Sequence, residues 1–235
     1  MNPIMSEKVE RLKRAIKVGL LTGQTHIDHI WLRARANRAS IIVFLGDSRA
    51  KAWPSPSTVP QYIFRNCGVG FDTSRQVLER LSIHVAPIQP QVVLVQAGIN
   101  NCKELLLAPP NHAIIVQETL TTLLQIADEV RAADSHVLLS TIFPVSNVTS
   151  LHSSAFWGAD QPDAAHQVRS AVEQINRGLA SLNAADVTIF DAAAILQNAD
   201  GWLDPIYARD ELHLNEAGYQ RLNQSLGPVL LKIVG

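Results

Sequence analysis

Four β-rich apolar runs divide this chain, and stretches with helical periodicity separate them. Each run is continuous rather than alternating, which is typical of strands that are buried on both faces. Strands that alternate with helices predict βαβ units, and therefore a mostly parallel sheet with helices on both sides. The predicted strands are 41–45, 92–95, 137–143 and 187–190, and the predicted helices are 76–83, 114–133, 168–182 and 216–234.

The first forty residues differ from the rest. Val9, Leu12, Ile16 and Leu20 recur at helical spacing among charged residues, and a second helical stretch is expected at 26–38. At 235 residues the chain fits one medium domain. We therefore expect a catalytic or binding domain at 41–235 and a helical extension at 1–40. The extension would pack on or beside the domain, or form a homodimer contact.

Composition excludes several classes of protein. The formal net charge is −1 and no basic stripe stands out beyond the N-terminal helix, so nucleic acid is not an expected partner. No apolar run approaches about 20 residues, which argues against a transmembrane helix. Residues 1–40 do not resemble a signal peptide, so a cytoplasmic protein is expected. Cys67 and Cys102 lack metal-ligand spacing, and no metal site is predicted.

Two short segments at opposite ends of the chain carry candidate chemistry. Gly46-Asp47-Ser48 follows the first predicted strand, and Asp210 precedes His213 by three positions near the C-terminus. Nucleophilic acyl transfer needs a serine that attacks, a histidine that shuttles its proton and a carboxylate that fixes the histidine tautomer. Ser48, His213 and Asp210 are the residue types for these three roles.

Donors for a developing oxyanion can also be placed on the sequence. Ser48 is expected on a strand-to-helix turn, where its own backbone N–H can point into the site. Asn100 follows the second predicted strand and offers a side-chain amide, and the segment 66–71 offers a further backbone N–H. Ligands gather at the carboxyl ends of parallel strands, where these segments fall.

Together these segments resemble the SGNH hydrolases, also called the GDSL esterase/lipase family. The resemblance runs from about residue 41 to the C-terminus. Gly46-Asp47-Ser48 resembles the nucleophile block of the family, Gly98-Ile99-Asn100 its Gly-x-Asn block, and Asp210-Glu211-Leu212-His213 its Asp-x-x-His block.

The second family block is where the sequence departs from the pattern. The family usually has Asn-x-Gly-x-x-Gly-x-Thr, whereas this chain has Asn66-Cys67-Gly68-Val69-Gly70-Phe71-Asp72-Thr73. Phe71 therefore occupies the position of the donor glycine, and Gly70 lies one place early. Either the loop shifts by one residue so that Gly70 donates, or Phe71 donates and its ring narrows the acyl pocket.

The resemblance implies a fold and an activity. It implies a three-layer α/β/α domain with a flavodoxin-like, mostly parallel sheet and no metal or organic cofactor. It implies Ser48 as nucleophile, His213 as base and acid, and Asp210 as its orienter. The oxyanion hole would comprise the N–H groups of Ser48 and of Gly70 or Phe71, with the Asn100 amide.

The implied function is hydrolysis of a carboxylic ester through an acyl-enzyme, with a short acyl or acetyl group favoured because Phe71 replaces glycine. The substrate would be a small ester, an acylated sugar or a lipid. Two alternatives remain open from the residues. One is a weak or inactive binding module, for which the irregular second block argues, and the other is an acyltransferase that uses the same triad.

Substrate-contacting residues are less well marked. Trp53, Trp157 and Trp202 lie in or near predicted loops, where they could stack on a sugar or line an acyl groove, or simply anchor the loops. Arg209 could hold an anionic substrate group or serve as a surface residue. The pair His26 and His29, one helical turn apart, has no acidic partner in view, and a solvated helix face is the favoured interpretation.

Overall fold

A computed structural model describes residues 41–147 and 163–234. The predicted N-terminal extension, the histidine pair in it and Trp157 lie outside the described residues. At the centre is a five-stranded parallel sheet of order β2-β1-β3-β4-β5. Its strands are β1 (Ile41–Gly46), β2 (Ile63–Gly68), β3 (Val92–Gln96), β4 (His136–Ser140) and β5 (Val187–Phe190).

Helices cover both faces of the sheet. Three short helices, α1 to α3, lie before β3, and α4 follows it, whereas α5, α6 and α8 are long. Their bounds are α1 (Ser48–Lys51), α2 (Ser74–Glu79), α3 (Leu81–His84), α4 (Ile99–Cys102), α5 (His112–Ala132), α6 (Ala164–Ala180), α7 (Ala192–Leu196) and α8 (Glu216–Val234). Short 3₁₀ turns occur at Lys103–Leu106, Pro109–Asn111 and Pro205–Tyr207.

The strand β1 shows why two helical layers form. Val43 and Leu45 face a core that includes the buried sides of α5 and α6, whereas Ile42 and Phe44 face a second core built with α7 and α8. All six residues of the strand are buried. Apolar side chains on both faces of a strand must each be covered, and the result is the predicted three-layer α/β/α fold.

Two differences from the predicted strands have physical reasons. The edge strand β2 was missed, because Arg65 and Asn66 interrupt its apolar character and its first four residues are only partly buried. The strand β4 ends at Ser140 rather than at residue 143, because it pairs with the short β5 through Ser140 and Phe190. Residues 141–146 beyond it remain buried without regular secondary structure.

The strand order reverses at β1. From β1 the chain moves outward to β2 and then returns to add β3 on the opposite side of β1. Parallel α/β folds bind ligands at this point of reversal, outside the carboxyl ends of the strands. The register pairs Gly46 at the end of β1 with Gly68 of β2 and with Gln96 of β3. The loops that follow these three strands therefore emerge at the same edge.

No helix within 41–147 or 163–234 is long and apolar enough to cross a membrane.

Candidate active site

Gly46 makes the sharp exit from β1 that places Ser48 at the carboxyl edge. Its φ is +152°, and a Cβ there would lie 1.8 Å from the carbonyl oxygen of Gln96 on β3. No other residue fits without a shift of the backbone. The next residue, Asp47, caps α1, because its Oδ1 accepts a hydrogen bond of 2.8 Å from the Arg49 N–H. Ser48 is thus the first residue of a capped helix.

Ser48, His213 and Asp210 form one chain of hydrogen bonds. Ser48 Oγ lies 3.0 Å from His213 Nε2. On the other side of the ring, His213 Nδ1 lies 2.9 Å from each carboxylate oxygen of Asp210. The distances are those of a nucleophile, a base and an orienting acid within hydrogen-bond reach. The structure therefore brings together the three residues that the sequence singled out.

Asp210 holds its own segment in place as well as the imidazole. Its Oδ1 accepts hydrogen bonds from the N–H groups of Leu212, at 2.9 Å, and His213, at 2.8 Å. Arg209 lies beside it, with Nε and Nη2 each 3.3 Å from Oδ2. Burial alone would raise the pKa of Asp210, but the hydrogen bonds from the His213 side chain and the two backbone N–H groups outweigh it and lower that pKa. The Asp210 carboxylate therefore stays charged at neutral pH.

A buried arginine connects the segment that contains Ser48 to the segment that contains His213. The Arg49 side chain is fully buried, donates from Nε to the Leu212 carbonyl oxygen at 2.8 Å and from Nη1 to the Phe143 carbonyl oxygen at 2.9 Å. The Tyr219 hydroxyl donates to the Arg49 carbonyl oxygen at 2.9 Å. Arg49 and α8 thereby fix the position of Ser48 relative to His213.

Asp47 is the second buried charge of this segment. Burial raises its pKa to about 6, against the opposing influence of the Arg49 charge and N–H group. Its Oδ2 atom has no hydrogen-bond partner among the described residues, and neither has Nη2 of Arg49. Asp47 thus satisfies the helix cap with one oxygen and leaves the other unpaired.

The loop after β2 contains the departure from the family pattern. Phe71 has a φ of +72°, in the left-handed region that favours glycine, whereas Gly70 is absent from the residues with positive φ. Phe71 is 62% exposed, and the Lys103 Nζ lies 5.7 Å from the centroid of its ring. The backbone reversal therefore occurs at the phenylalanine rather than one residue earlier.

Asn100 connects that loop to the loop after β3. Its Nδ2 donates to the Asp72 carbonyl oxygen at 2.9 Å, and the Lys103 Nζ lies 3.5 Å from its Oδ1. Gly98 makes the turn out of β3 with a φ of +117°. An Asn side-chain amide carries two N–H groups, so one remains for another acceptor after the bond to Asp72.

The aromatic candidates occupy other places than the sequence suggested. Trp53 is 2% exposed and packs among Phe44, Phe143, Phe190 and Tyr219. Its Nε1 donates to Asn223 Oδ1 at 2.8 Å. Trp202 is 5% exposed, with the Arg169 guanidinium over its ring. Neither ring has the exposed face that stacking on a substrate requires.

Sequence reasoning missed Arg49 and the buried pair of Arg80 with Asp72. Arg80 Nε donates to Asp72 Oδ2 at 2.7 Å, and both side chains are almost fully buried. A signal was present in each case: Arg49 follows the nucleophile directly, and Arg80 stands between the apolar residues Leu78 and Leu81. Within the described parts of the chain, no group of three or more His, Cys, Asp and Glu residues could hold a metal ion.

Comparison with known structures supports the fold. The chain is similar to a GDSL-like lipase from Bacteroides thetaiotaomicron, with 18% identity, a TM-score of 0.67 and coverage of 91% of this chain and 98% of that one. It is also similar to a protein from Streptococcus pneumonia whose assignment as a platelet activating factor is provisional, with 22% identity, a TM-score of 0.71 and coverage of 98% and 100%.

A third similar structure is a variant of an acetyl-xylooligosaccharide esterase from Geobacillus Stearmophilus, with 19% identity, a TM-score of 0.56 and coverage of 84% of this chain and 96% of that one. No curated protein matches the chain by sequence. The model of the GDSL-like Lipase/Acylhydrolase family matches residues 40–221, which is well over half of the chain. The resemblance seen in the sequence is thereby confirmed: the chain belongs to the GDSL-like lipase/acylhydrolase family, and it is a carboxylic ester hydrolase.

Proposed function

We propose that this protein hydrolyses carboxylic esters with a small acyl group, acetyl above all, through an acyl-enzyme on Ser48. The observation that carries the proposal is the continuous hydrogen-bond chain from Ser48 Oγ through His213 to Asp210, with 3.0 Å between Ser48 Oγ and His213 Nε2. A serine hydroxyl is a weak nucleophile at neutral pH unless a base accepts its proton.

In the first half-reaction, Ser48 Oγ attacks the carbonyl carbon and its proton passes to His213 Nε2. The charge that develops on the imidazolium is stabilised by the Asp210 carboxylate at Nδ1. The tetrahedral intermediate collapses when the same Nε2 proton passes to the leaving alkoxide. In the second half-reaction, His213 Nε2 takes a proton from water as the water oxygen attacks the acyl carbon. The second tetrahedral intermediate collapses when this proton passes to Ser48 Oγ, which breaks the bond between Ser48 and the acyl carbon and releases the carboxylic acid.

The negative oxygen of each intermediate needs donors that are already in place. We assign these donors to the N–H groups of Ser48 and Phe71 and to the second N–H of the Asn100 amide. Phe71 is favoured over Gly70 because the left-handed residue of the loop is Phe71. No metal or organic cofactor has a role in this sequence of steps.

A small acyl group is favoured by the side chain at position 71. Where the family pattern has glycine, this chain presents a mostly exposed phenylalanine ring next to the proposed donor N–H. That ring occupies space that a long acyl chain would need. The similar fold of an acetyl-xylooligosaccharide esterase agrees with an acetyl ester of a sugar as one substrate class to test.

Fluorophosphonate labelling tests the proposal directly. A fluorophosphonate reacts with an activated serine and leaves a stable adduct that intact mass and peptide mapping can locate. We expect one adduct on Ser48 in the wild type and none in Ser48→Ala. A folded wild type that takes up no adduct would refute the esterase proposal and favour a ligand-binding module with an inactive site.

Substrate preference is then measured with p-nitrophenyl esters of increasing acyl length. The proposal expects the highest kcat/KM for acetate or butyrate. A higher kcat/KM for octanoate than for acetate would refute the preference for short acyl groups while leaving the triad intact. Adding sugars or other alcohols as acceptors and measuring acylated product by mass spectrometry separates hydrolysis from acyl transfer.

A further inference from the structure

Arg80 joins three segments that surround the site. Arg80 lies between α2 and α3. It donates through Nε to Asp72 Oδ2, through Nη1 to the Cys67 carbonyl oxygen and through Nη2 to the Gly46 carbonyl oxygen, each at 2.7 Å. The Arg80 side chain is 2% exposed and the Asp72 side chain is fully buried. One guanidinium therefore fixes the ends of β1 and β2 and the loop that follows β2.

The loop so held contains a conformation that its own sequence disfavours. A bulky residue with positive φ is a steric outlier, and such residues persist only where the surroundings determine them. Phe71 is such a residue, and it is 62% exposed. The residue directly after it, Asp72, is held by hydrogen bonds of both its side chain and its main chain.

Both the carboxylate and the main chain of Asp72 form hydrogen bonds. The carboxylate is paired with Arg80, the N–H donates to the Val69 carbonyl oxygen at 3.3 Å, and the carbonyl oxygen accepts from Asn100 Nδ2 at 2.9 Å. A rotation of the Phe71 peptide would move the Asp72 backbone and disturb this bond to Asn100. Both proposed donors, the Phe71 N–H and the Asn100 amide, thus depend on the placement of one residue.

We propose that Asp72 and Arg80 are positioning residues for the oxyanion hole: the buried ion pair holds Phe71 in the left-handed conformation and sets the direction of the Asn100 amide. This inference rests on the proposed esterase function. It also explains how the chain tolerates phenylalanine where the family has glycine. Glycine would adopt this conformation without steric cost, whereas Phe71 is held in it by its neighbour Asp72.

Steady-state kinetics of Asp72→Asn and Arg80→Lys give the first test. We expect kcat to fall about 10-fold to 100-fold with KM changed less than about twofold, because donors of this kind act mainly in the transition state. The rates are referred to folded protein, measured by circular dichroism. Glu79→Gln is the matched control, since it breaks the exposed Arg75–Glu79 pair on the neighbouring helix and should leave kcat and KM unchanged.

A double-mutant cycle with Phe71→Gly separates positioning from a general structural role. Glycine reaches positive φ without steric cost, so the loop should need the ion pair less. We expect Asp72→Asn to lower kcat at most about threefold in the Phe71→Gly background, against the larger loss in the wild-type background. Losses that simply multiply, as independent structural effects would, overturn the proposal.

A crystal structure of Asp72→Asn tests the same proposal without any activity. We expect the backbone at Phe71 to leave the left-handed region and the hydrogen bond from Asn100 to residue 72 to lengthen or break. A folded variant that keeps Phe71 near +72° and keeps that bond overturns the proposal, even if the protein is a fully active esterase. If Asp72→Asn does not fold, Arg80→Lys carries the same crystallographic test. Absence of a Ser48 adduct in the wild type refutes the esterase proposal alone.

Discussion

The buried carboxyl group of Asp47 should make the stability of this protein fall as the pH rises from about 4 to above 6. Asp47 is fully buried, and its pKa is raised from 3.8 to about 6. Between these values the folded protein retains a proton that the unfolded chain has lost. The contribution to stability is therefore fully present below pH 3.8 and is lost as the pH rises through 6.

The size of the effect follows from the two pKa values. Their difference corresponds to about 3 kcal/mol, at about 1.4 kcal/mol for each pH unit. The substitution Asp47→Asn removes the titration and keeps a side-chain oxygen for the Arg49 N–H. Groups that do not interact with Asp47 titrate equally in both proteins, so the difference in unfolding free energy between the wild type and Asp47→Asn reports chiefly the titration of Asp47.

Urea unfolding at pH 4, 5, 6 and 7, followed by circular dichroism, measures that difference. We expect the wild type to lose about 2 to 2.5 kcal/mol relative to Asp47→Asn between pH 4 and pH 7, slightly less than the full difference because part of the effect lies below pH 4. Asp47→Ser is the matched control, because serine also caps a helix and does not titrate in this range. The difference in unfolding free energy between the wild type and Asp47→Ser should change with pH in the same way. A difference from Asp47→Asn that is constant over the whole range would refute the reasoning.

Three further predictions concern the site and the core. Asp210→Asn should lower kcat by roughly 10³-fold to 10⁴-fold with little change in KM, because the imidazole loses its charged partner; a loss below about tenfold in steady-state kinetics would contradict the role of Asp210. Phe71→Gly should raise the ratio of kcat/KM for octanoate over acetate by at least about tenfold, since it removes a ring from the proposed acyl site; an unchanged ratio on p-nitrophenyl esters would show that the ring does not limit chain length. Trp53→Ala should cost about 3–5 kcal/mol in urea unfolding, because it empties the centre of an aromatic cluster, and a cost below about 1 kcal/mol would contradict its place in the core.

The fold was largely predictable because burial leaves a mark on composition. Four of the five strands are continuous apolar runs, and α8 lies where helical periodicity placed it, at 216–234. The edge strand β2 was not predicted, since an edge strand needs less apolar character and Arg65 and Asn66 conceal it. The strand order was expected only through the family resemblance, because periodicity does not specify which strands are neighbours.

The candidate site was also predictable only in part. That Ser48, Asp210 and His213 lie together was predictable, because the proposed chemistry requires particular residue types in a recognisable local pattern. The sequence marks Arg49 and Arg80 by their positions, but their partners were not predictable, because most of them are backbone carbonyl groups, which every residue possesses. From its position in or near a predicted loop, Trp53 was a candidate either for contact with substrate or for anchoring the loop. In the structure it is buried in the core, where its indole N–H donates to Asn223 Oδ1.

The bonds that hold the nucleophile have a consequence for how the protein is made. Arg49 binds the carbonyl oxygen of Leu212, 163 positions away, and its own carbonyl accepts a bond from Tyr219, 170 positions away. A ribosome therefore synthesises the segment around Ser48 long before it synthesises Leu212 and Tyr219, which bind that segment. Contacts of such separation also form late and slowly during folding. A nascent chain that has emerged only as far as β5 therefore contains Ser48 without His213, its hydrogen-bond partner, and without Tyr219, which binds the Arg49 carbonyl oxygen.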